Sequence, residues 1–314
     1  MTRTAPMTRT ALILGASGRF GRAAATAFEQ AGWHVRRFQR GRDTLTQAAS
    51  GVDVIVNGWN PAYPDWAAQV AKLHRQVIAV AEASGATVIV PGNVYVFGAE
   101  TPSPWSETSP HAAQNPLGRI RVEMEAAYRA SNARVILLRA GDFLDTAASG
   151  NWFDGILAAK LAKGRFVYPG RTDIAHAWAY LPDMARAAVE LAAIRSRLPR
   201  YLDVPFAGYS LSAEELLAAI NACLLHPVKL KRMSWLPLQL TRPFWPLGRC
   251  LLEMRYLWDT PHCLQGDAVQ NLLPEFRNTP LEVALPNCLP PEFQRGLQRE
   301  KHPASWPNDA IAQK

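Results

Sequence analysis

Hydrophobic and polar positions along the first half of the chain alternate between two kinds of segment. Short runs such as "ALIL", "VDVIVNG" and "ATVIVPG" have the nearly continuous apolar character of strands that are buried on both faces. Between them, "RFGRAAATAFEQAG", residues 63–84 and residues 119–131 place apolar residues at helical spacing. Strands separated by helices of this length form βαβ units. The sequence therefore predicts an α/β protein with a doubly wound parallel sheet, the Rossmann fold.

The rhythm becomes less regular after about residue 142. "NWFDGILAAKLAKG" has a helical pattern, "RFVYPG" and "YLDVPF" have extended patterns, and a capping box of Ser212 and Glu215 begins another helix. We expect a Rossmann domain over residues 8–180, with the helix at 182–197 also packed on it. A smaller, mainly helical substrate lobe is expected over residues 198–305, with contributions from 142–180. Residues after about 301 are expected to be frayed.

Composition and charge narrow the classes of function. The 314 residues are 48% hydrophobic and 19% charged, with a net charge of +8, as expected for a globular protein with a basic surface. The basic residues are scattered and no nucleic-acid motif is present, so no nucleic-acid partner is expected. The four cysteines lack a C-x-x-C pair and are expected to be reduced thiols.

Two further features bear on location. The N-terminal apolar run is short and ends in a glycine loop, unlike a secretory signal, so a cytoplasmic location is expected. The apolar-aromatic segment at residues 234–258 is interrupted by charged residues and three prolines, which predicts no stable membrane insertion. Association of this segment with a membrane surface is a weaker alternative, because its prolines favour short packed turns.

A glycine-rich loop, "GASGRFG", joins the first predicted strand to the first predicted helix. Gly15, Gly18 and Gly21 lie at the spacing G-x-x-G-x-x-G. Such a loop lets the backbone approach a diphosphate, whose charge is stabilised by free N–H groups at the helix N-terminus. The alternative is a tight turn without a ligand, but the strand before it and the helix after it favour nucleotide binding.

The second strand segment, "HVRRFQR", bears on which dinucleotide would bind. NAD-binding proteins of this kind place an acidic residue at the end of this strand, where it binds the ribose 2′-hydroxyl. Here Arg40 stands in that position, and Arg19 lies inside the glycine loop. Guanidinium groups suit a 2′-phosphate, so we predict NADP over NAD. The alternative is that both arginines point into solvent.

The chain resembles the short-chain dehydrogenase/reductase superfamily, specifically its extended and atypical members related to epimerases and dehydratases. The resemblance covers residues 10–211 and rests on "GASGRFG", "VIVNGWNP", "VPGNVYVFG", "LLRAGDF" and "HAWAYLPDMARA". Together with the glycine loop, it implies a set of cofactor-binding residues. These are Gly15, Ser17, Gly18, Arg19, Phe20, Gly21, Arg40, Asn57, Gly58, Trp59, Pro91, Gly92, Asn93 and Arg121.

The catalytic pattern of that superfamily is missing. Its members use a tyrosine as acid/base, a lysine four residues later and a serine or threonine from a neighbouring strand end. In the matching stretch, "NPLGRIRVEME", Leu117 occupies the tyrosine position and Arg121 the lysine position, and Asn93 replaces the serine or threonine. Arg121 can hold a ribose hydroxyl or phosphate but cannot exchange its proton usefully. Alternatively, it pairs with a carboxylate on the helix surface.

Three residues from the same site-lining segments are candidates for the missing proton transfer. They are Tyr95, Asp142 and His176. Each has a structural alternative: a packed aromatic residue for Tyr95, an exposed loop carboxylate for Asp142 and a structural histidine for His176. Trp152 and Phe153 are expected to form an apolar wall of the substrate pocket, or simply core.

These observations leave two hypotheses. The first is an NADP-dependent oxidoreductase or epimerase-like enzyme that uses a non-standard proton donor on a small carbonyl or hydroxyl substrate. The second is a catalytically inactive NADP-binding sensor or regulatory protein. No metal site is predicted, and the polar helix around residues 119–129 is compatible with a monomer or a homodimer.

Overall fold

The structure is a computed structural model that describes residues 9–290 and 292–293. The end that was expected to be frayed and the last part of the predicted substrate lobe lie outside the described residues. The boundaries of the two predicted domains therefore stay a prediction.

A six-stranded parallel sheet forms the centre of the molecule, in the order β2-β1-β3-β4-β5-β9. The order reverses beside β1, and ligands of open α/β sheets bind outside the carboxyl ends of the strands at such a point. The predicted doubly wound sheet is confirmed. Its strands are β1 (Thr10–Leu14), β2 (His34–Arg37), β3 (Val54–Asn57), β4 (Thr87–Gly92), β5 (Arg134–Arg139) and β9 (Tyr201–Pro205).

Helices cover both faces of this sheet because alternate strand residues point to opposite sides. Ile13 and Val56 belong to the core on the side of α1 and α5, whereas Leu12 and Ile55 belong to the core on the side of α3 and α4. The helices are α1 (Arg19–Gln30), the short α2 (Leu45–Ala48), α3 (Trp66–Ser84), α4 (Pro116–Ala130) and α5 (Leu181–Ala193).

The second half of the chain adds two small sheets and a third apolar core. Strands β6 (Asp142–Leu144), β8 (His176–Tyr180) and β10 (Tyr209–Leu211) form one sheet, and β7 (Arg165–Tyr168) pairs with β11 (Lys229–Arg232) in the other. The remaining helices are α6 (Ala213–Ala222), α7 (Leu236–Thr241), α8 (Pro246–Glu253), α9 (Asp267–Leu272) and α10 (Leu281–Cys288).

The helical pattern of "NWFDGILAAKLAKG" forms two short helical pieces, a π-helix at Phe153–Leu157 and a 3-10 helix at Leu161–Lys163, rather than one regular α-helix. Asn151 and Asp154 cap the first piece reciprocally: the Asn151 Oδ1 accepts the N–H groups of Phe153 and Asp154, and the Asp154 carboxylate accepts the N–H of Asn151. The apolar residues of both pieces still pack into one core.

Segments from the last quarter of the chain reach the carboxyl edge of the central sheet. Glu253, at the end of α8, contacts the N-terminus of α4, and Leu264 forms a β-bridge with Trp105. All four cysteines are free thiols, as expected. Within the described part of the chain, no helix has both the length and the apolar character needed to cross a membrane.

Candidate active site and cofactor cleft

The glycine loop is held by backbone contacts that leave no room for side chains. A Cβ added at Gly21 would lie 2.1 Å from the carbonyl oxygen of Gly15, and one at Gly15 would lie 2.8 Å from the carbonyl oxygen of Gly58. Gly15 also has a φ of 72°, in the left-handed region that favours glycine. The loop after β3 thus packs directly on the loop after β1, at the point where the strand order reverses.

The N-terminus of α1 is open to a ligand. Gly18 is its N-cap, and within the described residues no side chain caps this helix and no acidic residue lies in its first turn. Ser17 is exposed, whereas the Phe20 ring is buried in the core, so Phe20 offers only its backbone N–H. Free N–H groups beside bare glycines fit a diphosphate. We call Gly15, Gly18, Gly21 and Gly58 the α1 end of the cleft.

The two arginines that were predicted to select NADP lie in different surroundings. Arg19 donates hydrogen bonds to the carbonyl oxygens of Ser149 and Gly150, at 3.2 and 2.8 Å, and so ties that loop to the start of α1. Arg40 is exposed, and its guanidinium lies 5.5 Å from the ring centre of Trp59. Among the described residues, Arg40 therefore has no hydrogen-bond partner and lies beside a partly exposed aromatic ring, whereas Arg19 is partly engaged by the protein itself.

Asn57 belongs to a buried polar cluster behind the cleft. Its Nδ2 lies 3.0 Å from the Tyr128 hydroxyl and 3.2 Å from His74 Nδ1, and its Oδ1 accepts the N–H of Trp59. Burial lowers the pKa of His74 to about 3, with the Arg121 charge adding to the effect, so this imidazole is neutral. Asn57 thus fixes the loop at Gly58 and Trp59 through a contact that sequence analysis did not detect.

At the other end of the cleft, the superfamily's catalytic positions have new roles. Leu117 is buried in the core, and the Oδ1 of Asn93 accepts the N–H of Tyr95. Arg121 is 5% exposed and donates to the Pro91 carbonyl oxygen at 2.8 Å, but its Nε has no partner among the described residues. The surface ion pair that was considered for Arg121 is therefore wrong.

The unpartnered Nε makes Arg121 suitable for a ligand. A buried donor without an acceptor is costly, and a ribose hydroxyl would satisfy it. Burial lowers the pKa of Arg121 from its ordinary value, while the Glu125 carboxylate opposes that change. We call Asn93, Tyr95, Leu117, Arg121 and Asp142 the α4 end of the cleft.

A buried ion cluster supports the α4 end. The fully buried Arg139 forms salt bridges with Glu125 and Asp203, at 2.7 and 2.6 Å, and donates to the Asn93 carbonyl oxygen at 2.6 Å. The two carboxylates raise the pKa of Arg139 against the opposing effect of burial. His111, Glu125 and Asp203 also lie close enough to share a metal ion, but Arg139 already occupies both carboxylates.

Gly92 allows β4 to pack closely against Leu137 and Arg139 of β5. A Cβ added to Gly92 would lie 3.0 Å from Leu137 and 3.3 Å from the Cα of Arg139. Pro91 and Gly92 therefore contribute backbone rather than side chains, with the Pro91 carbonyl oxygen directed to Arg121.

Tyr95 is paired with a residue that sequence analysis did not select. Its hydroxyl lies 2.6 Å from the Tyr63 hydroxyl. Burial raises the pKa of Tyr95 well above its usual value, and Tyr63 and Asp142 raise it further. A phenol in these surroundings stays protonated at neutral pH, so it can donate a hydrogen bond but cannot accept a proton.

Asp142 and His176 form a direct pair. The Asp142 Oδ2 lies 2.8 Å from His176 Nε2, and the exposed fractions of the two side chains are 26% and 3%. His176 stacks on Trp258 with ring centres 4.4 Å apart, and Trp258 also contacts Trp152. The structure thus brings Asp142 together with His176 by contact and with Tyr95 through its charge.

His262 lies directly behind this pair. Its ring centre is 4.4 Å from that of His176, and it stacks on Trp105 at 4.9 Å. Its Nδ1 lies 2.9 Å from the Thr260 carbonyl oxygen, so the hydrogen is on Nδ1, and its Nε2 has no partner within the described residues. Burial, with a further contribution from His176, lowers its pKa to about 3.

Glu253 closes the α4 helix from a distant part of the chain. Its Oε1 accepts the N–H of Leu117 at 2.6 Å and an amide hydrogen of Asn115 at 2.9 Å. A carboxylate at this position complements the positive end of the helix dipole. No local sequence signal could have identified this contact, because Glu253 is 136 residues from Leu117.

Comparisons with known proteins agree with this geometry. The family model described as the RmlD substrate binding domain matches residues 9–167. A human epimerase family protein, SDR39U1 isoform 2, solved with NADPH, is 16% identical with a TM-score of 0.69, over 88% of this chain and 97% of that one. No curated protein matches the chain.

Two bacterial structures have the same fold. UDP-glucose 4-epimerase from Brucella ovis, solved with NAD, is 15% identical with a TM-score of 0.66, over 91% of this chain and 98% of that one. A nucleoside-diphosphate-sugar epimerase from Staphylococcus aureus is 15% identical with a TM-score of 0.64, over 88% and 99%. Because the family model matches half of the sequence, this chain belongs to the family described as the RmlD substrate binding domain, and it shares its fold with NAD(P)-dependent epimerase/dehydratase-like short-chain dehydrogenase/reductases.

Proposed function

We propose that the protein is an NADP-dependent oxidoreductase or epimerase-like enzyme acting on a small carbonyl or hydroxyl substrate. In this proposal, Asp142, His176 and Tyr95 replace the missing tyrosine–lysine pair. The observation that supports it best is the 2.8 Å contact between Asp142 and His176, with the carboxylate partly exposed and the imidazole buried.

The cofactor would lie along the cleft from the α1 end to the α4 end. The open N-terminus of α1 would hold the diphosphate, the exposed Arg40 a 2′-phosphate, and Arg121 a ribose hydroxyl. When bound, a nicotinamide cofactor supplies or accepts the hydride of such a reaction. The human neighbour was solved with NADPH and the Brucella ovis epimerase with NAD, which supports this class of cofactor.

Tyr95 would orient the substrate oxygen. Because its phenol stays protonated, it can polarise a carbonyl by donating a hydrogen bond, with the Tyr63 hydroxyl as its partner on the other side. Tyr95 therefore corresponds to a hydrogen-bond donor rather than to a general base.

The Asp142–His176 pair would exchange the proton. Imidazole is the side chain suited to proton transfer near neutral pH, and the carboxylate bonded to its Nε2 fixes the orientation of the ring. Stacking on Trp258 prevents the ring from rotating. The partly exposed Asp142 oxygen gives the pair its access to the cleft.

Cofactor preference is tested by calorimetric titration of the protein with NADPH and NADH. We expect tighter binding of NADPH, and about a tenfold loss of NADPH affinity in Arg40→Ala with little change for NADH. Arg42→Ala, at an exposed arginine two residues away, is the matched control. Equal affinity for both cofactors in the wild type would contradict the NADP assignment.

Catalysis is tested by following NADPH oxidation with a panel of aldehydes, ketones and keto sugars. We expect turnover with at least one compound, and a fall of about a hundredfold or more in Asp142→Asn and His176→Gln. Asp173→Asn, at an exposed carboxylate away from the cleft, is the control. Tight NADPH binding without turnover on any compound would support the inactive sensor instead.

A further inference from the structure

Helices α7 and α8 form a hairpin that exposes large apolar side chains. We define the α7–α8 hairpin as residues 236–253. Phe244, at its tip, is 92% exposed, and Leu240 is 69% exposed. Five of the eight exposed large hydrophobic residues in the described chain lie within this one segment: Leu236, Leu240, Phe244, Trp245 and Leu247.

The exposed side chains are held in place by an ordered backbone. The tip is closed by hydrogen bonds from the N–H groups of Phe244 and Trp245 to the Thr241 carbonyl oxygen. The Trp245 ring packs against Gly248, where an added Cβ would lie 2.5 Å from it. At the base, buried Trp235 donates its indole N–H to the Pro169 carbonyl oxygen at 2.6 Å. The apolar surface is therefore a built feature of the lobe.

The exposed charge on the hairpin itself is basic. Between Glu215 and Glu253 the sequence contains five Lys or Arg residues and no Asp or Glu. Arg242 and Arg249 lie within the hairpin, and both are exposed. Glu253 is directed to the N-terminus of α4 and is hydrogen-bonded there. The remaining three basic residues, all on the neighbouring strand β11, are Lys229, Lys231 and Arg232.

We propose that the α7–α8 hairpin docks this protein reversibly on the surface of an anionic phospholipid bilayer. Exposed leucine and aromatic side chains beside basic residues are the combination that partitions into the headgroup boundary of such a bilayer. The helices have 6 and 8 residues, so the hairpin is far too short to span the membrane. This inference does not depend on the proposed catalytic activity.

Charge favours the bilayer over a second copy of the chain. An isologous dimer through this face would place the basic residues of the two copies opposite each other, because Glu253, the acidic residue of the hairpin, is already hydrogen-bonded at the N-terminus of α4. Anionic headgroups instead complement Arg242 and Arg249, the exposed charges of the hairpin. The apolar tip then enters the boundary region without leaving charges unpaired.

The test is sedimentation of the full chain with vesicles. We expect the protein to bind vesicles of equimolar phosphatidylcholine and phosphatidylserine, and to bind vesicles of phosphatidylcholine alone at least about tenfold more weakly. Binding should weaken as salt is added, because the charge contribution is screened. Absence of binding to the anionic vesicles at low salt would overturn the proposal.

Variants assign the binding to the hairpin. The double variant Leu240→Glu/Phe244→Glu should lose at least about tenfold in vesicle affinity, whereas Val283→Glu, at an exposed apolar residue on α10, should not. Arg242→Gln/Arg249→Gln should reduce both the affinity and its salt dependence, with Arg197→Gln as control. Unaltered binding in the Glu double variant, or a wild-type dimer that this variant converts to monomer, would refute the bilayer assignment. Circular dichroism of each variant verifies folding.

Discussion

The two ends of the cleft use the polypeptide in opposite ways. At the α1 end, the backbone itself forms the surface that a ligand would meet. Gly21 approaches the Gly15 carbonyl so closely that no side chain fits, and α1 begins without a side-chain cap. At the α4 end, side chains fill the positions, and α4 is capped by the carboxylate of Glu253. One helix N-terminus is thus open to an anion, and the other is closed by one.

This difference shows which parts of such a site can be formed by other residues. A diphosphate requires free N–H groups and close backbone approach, and few residues other than glycine permit that. Proton transfer requires only that a titratable group reach the same reacting atoms, so it can come from other strands. In the proposed function, Leu117 therefore stands in the catalytic tyrosine position while Asp142 and His176, from other strands, exchange the proton.

Removing the support of the α4 end should have the largest effect. Arg139→Met leaves the carboxylates of Glu125 and Asp203 buried without a cation, and we expect a loss of about 3–5 kcal/mol in the free energy of unfolding. Urea denaturation measures it. Arg134→Met, at an exposed arginine on the same strand, should cost under about 0.5 kcal/mol. Similar losses in both variants would contradict a special role for the cluster.

Filling the α1 end should come next. Gly21→Ala places a methyl group against the Gly15 carbonyl, which we expect to cost about 1–3 kcal/mol and to weaken NADPH binding at least about tenfold. Gly32→Ala is the matched control, because Gly32 has a φ of 76° but nothing within 4 Å of the added Cβ. That control should cost about 1–2 kcal/mol without affecting NADPH. Calorimetry that finds unchanged NADPH affinity in Gly21→Ala would show that the loop does not hold the cofactor.

Acidification should lower the free energy of unfolding through two buried histidines. His74, beside Asn57, and His262, beside His176, have pKa values of about 3 in the folded chain against an ordinary value of 6.5. The unfolded chain binds more protons as the pH falls below 6.5, so each histidine should remove about 2 kcal/mol of stability between about pH 7 and pH 5. Urea denaturation at both pH values tests this.

Single variants assign the pH effect. Between pH 7 and pH 5, His74→Gln should lose about 2 kcal/mol less stability than the wild type. His34→Gln, at an exposed position on β2, should lose as much as the wild type. An unchanged pH dependence in His74→Gln would mean that the buried imidazole is not the source.

The smallest effect should come from the cap on α4. Glu253→Gln keeps an acceptor for the Leu117 N–H but removes the charge, and we expect a loss of about 1 kcal/mol. Glu275→Ala, at an exposed carboxylate, is the control for general charge effects. Equal stability of Glu253→Gln and the wild type in urea denaturation would show that the helix dipole needs no charge at this end.

The regular part of the fold follows from local patterns. The strands that were expected at "ALIL", "VDVIVNG" and "ATVIVPG" form. Their continuous apolar runs suit strands whose two faces are both covered by helices. The helical pattern of residues 151–164 forms only two short helical pieces, and Gly164, with a φ of 68°, ends the second of them.

The site could be predicted only where it depends on spacing. The glycines of the α1 end are visible in the sequence, since their role is local. The partners of the α4 end are not: Tyr63 meets Tyr95 from another element, and Arg139 binds both Glu125, 14 positions before it, and Asp203, 64 positions after it. Such contacts arise from the sheet topology, which no local pattern specifies.

We have proposed that Asp142 and His176 exchange the proton while the glycine loop binds the cofactor. NADPH affinity and NADPH oxidation, measured together in wild type and Asp142→Asn with a compound found in the carbonyl panel, separate these two roles. We predict an NADPH affinity within about twofold of wild type and a turnover reduced about a hundredfold or more. Unchanged turnover in Asp142→Asn would contradict the claim.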